Sequence, residues 1–388
     1  MTDGSSRRAW AVLVGCFLIS TGYMAYALAP ASILPVLVER FQIDKPSAGL
    51  SISAIYLGWA ILQLPGGWLM DRYDNRWLVG LSVAVFVIAS VLGVFLEGFI
   101  AFLVTRFVAG GGAAFIWTAS TNIVNRTFPT GREAFGTSLF VASAPAGVAI
   151  AQFGGPPIAA AVGWQAVFLS YTLVALVGVP ILALAARAPV RNETQLSLRG
   201  FVRSLRRPPI LLLSLSSFCT YFLFLFFNSW MPTYAAEVLA IDLDAAGAAS
   251  ALVPIAGLVA RPGGGWLADR VGGYRPVIIA GFALSLPVLG GLAVVDSTAP
   301  FAVLLFLAGI GSQLAIGVFY VYAVDLTIEA ASGTSLALLT TISVFGSLSA
   351  PVVGGWLIDA FSWEMAFTVT GVIALLGIAA AMLVPARE

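Results

Sequence analysis

Histidine is absent from all 388 residues. That absence removes Ser-His-Asp triads, Cys-His nucleophiles and imidazole metal sites together. Cysteine occurs only twice, as Cys16 and Cys219, each inside an apolar run, so neither a disulfide framework nor a CxxC redox device is available. Charge is scarce as well. Only 10% of residues are Asp, Glu, Lys or Arg, whereas a soluble chain carries about 25%. The net charge of +1 gives the chain no bulk reason to seek nucleic acid. No cofactor motif and no metal-ligand cluster stands out.

What fills the space is apolar: 60% of the chain is hydrophobic and its mean hydropathy is +0.99. A helix crossing the hydrocarbon core needs about 20 mostly apolar residues. Twelve such runs are present, at 10–37, 47–69, 77–96, 99–124, 133–157, 163–186, 208–235, 245–268, 275–295, 299–324, 333–358 and 364–385. Period-2 alternation is missing, which excludes a transmembrane β-barrel. The first run is longer than the h-region of a secretory signal and holds Pro30 and Pro35, so it reads as a span. If the N-terminus is cytoplasmic, 15 of the 19 basic residues fall on the cytoplasmic side and only Arg40 and Lys45 outside. Both termini are therefore expected in the cytoplasm, with the chain in the plasma or bacterial inner membrane.

The sequence repeats at an offset of 198: Tyr23 maps onto Tyr221, Glu39 onto Glu237, and Gly67-Trp68-Leu69 onto Gly265-Trp266-Leu267. Late in each half the offset becomes 199, with Trp164 and Phe168 mapping onto Trp363 and Phe367. Six spans repeated in parallel suit two bundles that rock about a shared site. The expected division is 1–186 and 208–388, joined by an arginine-rich linker over 187–207. Within the linker, Leu198, Phe201, Val202 and Leu205 follow the i, i+3, i+4, i+7 spacing of an amphipathic helix at the membrane face.

After span 2 the chain reads Gly67-Trp68-Leu69-Met70-Asp71-Arg72-Tyr73-Asp74-Asn75-Arg76, and after span 8 Gly265-Trp266-Leu267-Ala268-Asp269-Arg270-Val271-Gly272-Gly273. Both resemble the best-known motif of the major facilitator superfamily, and the resemblance extends over essentially the whole chain. It implies an all-α integral membrane protein of twelve transmembrane helices in two pseudo-symmetric six-helix bundles. The first copy departs from the motif, with Asp74 in place of a glycine and Asn75 in place of an arginine. A carboxylate near a helix end can bind the N-terminal N–H groups of a facing helix. Asp71, Arg72, Arg76, Asp269 and Arg270 are accordingly the expected gating residues. Asp71 would face the start of span 11 near 332–335, and Asp269 that of span 5 near 130–132.

Two arginines lie deep inside spans, where a charge is costly and marks a functional candidate. Arg106 opens Arg106-Phe-Val-Ala-Gly110-Gly-Gly, similar to the arginine-glycine pattern of span 4 in the superfamily; with Trp117 on the same face, it is expected on the central cavity as a second substrate-binding arginine. Arg261, in Ala260-Arg261-Pro262-Gly263-Gly264-Gly265, resembles span 8 of nitrate/nitrite porters and other small-anion carriers. That resemblance implies an anion-binding arginine. The repeat-equivalent position holds Gln63, and the porters' glycine-asparagine signature is missing, which speaks against nitrate itself. Tyr23 on span 1, Tyr221 and Asn228 on span 7, and Gln313 and Tyr320 on span 10 complete the expected polar, aromatic lining.

Mid-span Asp and Glu are lacking, so no proton relay of the usual kind is present. The leading expectation is a secondary transporter of a small organic or inorganic anion, working by alternating access as a monomer in the bilayer. The alternatives are a multidrug or hydrophobic-compound exporter and, in another class, a non-transporting membrane receptor or scaffold. An enzyme is not expected, because no nucleophile–base pair is present.

Overall fold

The computed structural model describes residues 3–129, 132–190, 207–326 and 332–385. All of its regular structure is helical. The twelve expected spans are each found, though four are broken once. Span 1 is Asp3–Ser32 followed by Leu34–Phe41; span 2 is Lys45–Arg72; span 3 is Asn75–Phe95; span 4 is Phe99–Thr127. Span 5 is Glu133–Val141 with Ser143–Val162, and span 6 is Trp164–Ala185. In the second half, span 7 is Pro208–Glu237, span 8 is Leu243–Ser250 with Leu252–Val271, and span 9 is Tyr274–Leu292. Span 10 is Thr298–Gln313 with Ile316–Asp325, span 11 is Ser332–Ala360 and span 12 is Trp363–Leu383. The amphipathic helix expected around Leu198, Phe201, Val202 and Leu205 lies outside the described residues.

These helices leave large apolar side chains exposed in rows, among them Leu81, Ile88, Val104, Leu184, Val259 and Leu376. In water such a surface would drive aggregation; against lipid tails it costs nothing. Among the described residues eleven helical stretches are long and apolar enough to cross a membrane, and span 2, a 28-residue helix, is the twelfth. The chain is a multi-pass membrane protein.

Two compact units divide the chain. One comprises residues 1–30 and 54–195, the other 31–53 and 196–388. In the first, span 3 packs along span 4 and against span 6, and spans 5 and 6 meet. Small residues permit close crossings: a methyl group on Gly22 would stand 2.4 Å from the Ala175 nitrogen, and one on Gly147 2.4 Å from the Thr21 carbonyl. In the second unit, span 7 packs along spans 11 and 12, span 8 along span 10, and span 9 against spans 10 and 12. The sequence repeat is thus a packing repeat.

The end of span 1 and the start of span 2 belong to the second unit. Span 1 breaks at Ile33, between Pro30 and Pro35, where a helix lacks two backbone donors. Beyond the break, Ser53 Oγ donates to the Leu348 carbonyl at 2.6 Å, and Lys45 pairs with Glu237 at 3.0 Å. A cavity of about 310 Å³ lies there, lined by Leu34, Pro35, Val38, Glu39, Ile43, Asp44, Lys45, Thr233, Glu237 and Asp359.

Candidate functional site

Arg261 is carried by span 8 one residue before Pro262, and its side chain is half-buried. Its Nε donates to Gln313 Oε1 on span 10 at 3.1 Å. Gln313 is itself fixed, because its Nε2 donates to the Val253 carbonyl of span 8 at 2.7 Å. One wholly buried amide therefore reads a backbone carbonyl with one end and orients the guanidinium with the other. Room for that amide comes from Gly257: a methyl group there would fall 2.1 Å from Gln313 Oε1. Phe224 of span 7 also meets Arg261, its ring centre 5.7 Å from the guanidinium carbon, a cation–π arrangement.

Tyr221 OH and Tyr320 OH are 3.1 Å apart, joining spans 7 and 10. Asn228 Nδ2 donates to the Phe224 carbonyl at 2.7 Å, one turn back. Five of the expected residues thus lie on spans 7, 8 and 10, Arg261 paired with Gln313, Tyr221 with Tyr320, and Asn228 bonded along its own helix. Phe224, Val253 and Gly257 were not anticipated. Phe224 was readable as the residue between Tyr221 and Asn228 on one helical face; Val253 and Gly257 carry no such signal.

In the first unit the residues fall differently. Arg106 is completely enclosed and donates to the Tyr26 and Ala27 carbonyls of span 1, at 3.2 and 2.6 Å. Its guanidinium carbon sits 4.9 Å from the Tyr26 ring centre, 5.7 Å from Phe168 and 5.8 Å from Phe102. Tyr23 is buried beside it, edge-on to Phe86. Gln63, half-buried, accepts from Trp59 Nε1 at 2.7 Å. Trp117, also half-buried, leans on Phe140 of span 5.

The two motif loops differ in backbone. In the second, Gly272 closes span 8 at φ +70°, a left-handed conformation that favours glycine. In the first, Asp74 is extended at φ −65°, ψ 120° and caps span 3, its carboxylate accepting from the Arg76 N–H at 3.1 Å. The backbone there does not require a glycine. Asp74 also pairs with the Arg76 guanidinium and accepts from Val190 N at 3.2 Å. Asn75 N donates to Val190 O at 2.8 Å and Arg76 Nη1 to Ala186 O at 2.6 Å. Residues 186–190 are thereby strapped onto the loop between spans 2 and 3. Burial raises the Asp74 carboxyl pKa, but the Arg76 side chain and the Val190 and Arg76 N–H groups outweigh it and hold the group below the ordinary range. Arg72, Asp269 and Arg270 are exposed, with Arg270 over the Trp266 ring at 5.4 Å. The Asp71 side chain lies outside those described, as do Thr130 and Gly131.

A family model described as the Major Facilitator Superfamily matches residues 12–297 and 235–388. The chain is 25% identical over 375 residues to a probable sulfoacetate transporter of Cupriavidus necator, covering 89% of this chain and 86% of that one. It is 22% identical over 396 residues to a probable galactarate/D-glucarate transporter of Bacillus subtilis, covering 90% and 86%. Among solved structures, a bacterial homologue of the human lysosomal transporter Spinster, inward-facing and occupied, superposes with a TM-score of 0.82 at 16% identity, covering 96% of each chain.

Proposed function

The chain belongs to the major facilitator superfamily and is a transporter, not an enzyme; on that footing we propose that its cargo is a small organic anion, a sulfonate or carboxylate, bound by Arg261. The observation that carries this is the way Arg261 is held. Gln313 fixes one edge of the fork through Nε, and Phe224 lies within cation–π range of the guanidinium carbon. A planar guanidinium so oriented suits a carboxylate or sulfonate, which accepts two parallel hydrogen bonds from it. The spans supply no mid-span carboxylate to attract a cation. Relatives named for sulfoacetate and for galactarate/D-glucarate support the same class.

Tyr221, Tyr320 and Asn228 line the anion's surroundings from spans 7 and 10. The rocking units are 1–186 and 208–388, with 187–207 as their tether. Asp71, Arg72, Asp269 and Arg270 act at the cytoplasmic helix ends as gating residues, and Arg76 acts there through Asp74. The protein works as a monomer in the plasma or bacterial inner membrane, with both termini in the cytoplasm, since 15 of 19 basic residues then lie inside.

The test is a thermal-shift series on purified protein with sulfoacetate, D-glucarate and tetraphenylphosphonium, repeated with Arg261→Ala. An anion that raises the melting temperature of the parent and not of the variant is the expected result. Stabilisation by tetraphenylphosphonium alone, equal in both proteins, would overturn the reading.

A further inference from the structure

Span 1 contains Pro30 within its first helical stretch. A proline there has no N–H for the carbonyl four residues back, which belongs to Tyr26, and its ring crowds that same carbonyl. Inside a membrane protein such a group needs a donor from elsewhere. Arg106 of span 4 provides it: Nη1 donates to Tyr26 O at 3.2 Å and Nη2 to Ala27 O at 2.6 Å. Only a forked side chain reaches two consecutive carbonyls in this way. The aromatic rings around the guanidinium face its charge, and the side chain has no exposure at all. One turn further along span 4, Gly110 lets the helix approach span 2, where a methyl group would stand 2.0 Å from the Ile55 carbonyl. The base of the arginine is therefore held as firmly as its tip.

The position of this contact in the chain gives it meaning. The boundary between the compact units falls between Pro30 and Ala31, and residues 31–53 pack with the C-terminal half. Arg106 grips the last turn of span 1 that the first unit retains. We propose that Arg106 is a positioning residue for transport: it pins span 1 at Pro30 by restoring the hydrogen bond the proline removes. It thereby governs how readily residues 31–53 leave the C-terminal half. This goes beyond the anion assignment, which rests on Arg261.

The experiment uses Thr233→Cys as a reporter in the full chain. Thr233 is 1% exposed and lines the same cavity as Leu34, Val38 and Lys45; the native Cys16 and Cys219 are buried. In purified protein, Arg106→Leu should raise the rate at which a maleimide labels position 233 at least fivefold. Adding Pro30→Ala, which returns an N–H to the Tyr26 carbonyl, should bring that rate back to within twofold of the parent. Arg106→Lys, with charge but no fork, should fall between. In proteoliposomes carrying sulfoacetate, Arg106→Leu should lower the maximal rate about tenfold and leave KM within threefold. The labelling arm decides the proposal whether or not sulfoacetate is carried. Unchanged labelling in Arg106→Leu, or no rescue by Pro30→Ala, overturns it. Should Arg106→Leu fail to fold, recovery of folded protein on adding Pro30→Ala supports the proposal; failure of that double variant, together with unchanged labelling in Arg106→Lys, sinks it.

Discussion

Gly309 lies so close to the Val253 carbonyl that a methyl group on it would stand 2.3 Å from the oxygen. The repeat-equivalent pair in the other half, Gly110 and Ile55, is closer still at 2.0 Å. Spans 2 and 4, and spans 8 and 10, thus cross backbone to backbone at the same point of each half. Without a hydrophobic driving force between helices in lipid, such close crossings are what hold them together.

Gly309→Ala and Gly110→Ala should therefore force their helix pairs apart and cost about 1–3 kcal/mol each, the usual penalty of overpacking. Gly263→Ala and Gly265→Ala meet nothing within 4 Å on the same helix as Val253, and they should change stability by no more than about 0.5 kcal/mol. Thermal unfolding in detergent compares the four. Equal losses in all of them would mean that glycine acts here through helix flexibility and not through contact.

Gln313 should matter for substrate affinity without touching the substrate. Gln313→Leu removes the acceptor that orients Arg261 through Nε. Hydrogen bonds to charged groups contribute about 1.5–3 kcal/mol, so affinity for sulfoacetate should fall about tenfold or more. Gly257→Ala should mimic this change, since its methyl group would displace Gln313 Oε1. Equilibrium binding to purified protein measures both. If Gln313→Leu binds sulfoacetate as the parent does, the orientation of Arg261 by this amide is irrelevant to recognition.

The spans and the repeat were legible in the sequence because a membrane helix must be apolar along its whole length, and composition alone reports that. Arg261, Gln313, Tyr221, Tyr320 and Asn228 were individually legible as polar groups in an expensive place. Their meeting was not, because it depends on the rotation of three helices about their own axes, which a seven-residue spacing fixes only within one helix. Arg106 shows the limit from the other side. Its depth could be read, but its aim at the span 1 carbonyls follows from Pro30, 76 positions earlier. Asp74 read as a lapse from the motif, whereas the extended backbone at that residue gives a carboxylate a capping role that glycine cannot fill.

Asp74 makes stability depend on pH in a definite sense. Its carboxyl is held below the ordinary range, so in the unfolded chain it binds protons more readily than in the folded one. Its contribution is complete above the unfolded value of about 3.9 and fades as pH falls through the lower folded value. Asp74→Asn keeps a capping oxygen but loses the charge that pairs with Arg76, so it should be less stable than the parent at pH 7 by up to about 1 kcal/mol, and the gap should close as pH falls below about 4. Melting curves across that window, on parent and variant together, give the difference. A gap that stays constant down to pH 3 would assign the effect to shape and not to charge.

Lys45 and Glu237 form an ion pair at 3.0 Å, with side chains 23% and 38% exposed. Exposed pairs of this kind contribute about 0–1 kcal/mol, so Lys45→Ala should barely move the melting temperature. Its electrostatic setting gives it a different weight in closure. The cavity beside it is lined by Glu39, Asp44, Glu237 and Asp359, with Lys45 as the one base among the lining residues. Lys45→Glu would leave five carboxylates facing that space, and their repulsion should drive residues 31–53 away from spans 7 and 11. Maleimide labelling of Thr233→Cys should rise in Lys45→Glu, more steeply at low salt than at high, since exposed charges are screened over about 10 Å at 0.1 M. Combining Lys45→Glu with Glu237→Lys restores the balance of charge and should return labelling to the parent rate. If the swap fails while each single variant folds normally, the side chains are closing the cavity by packing, and charge has no part in it.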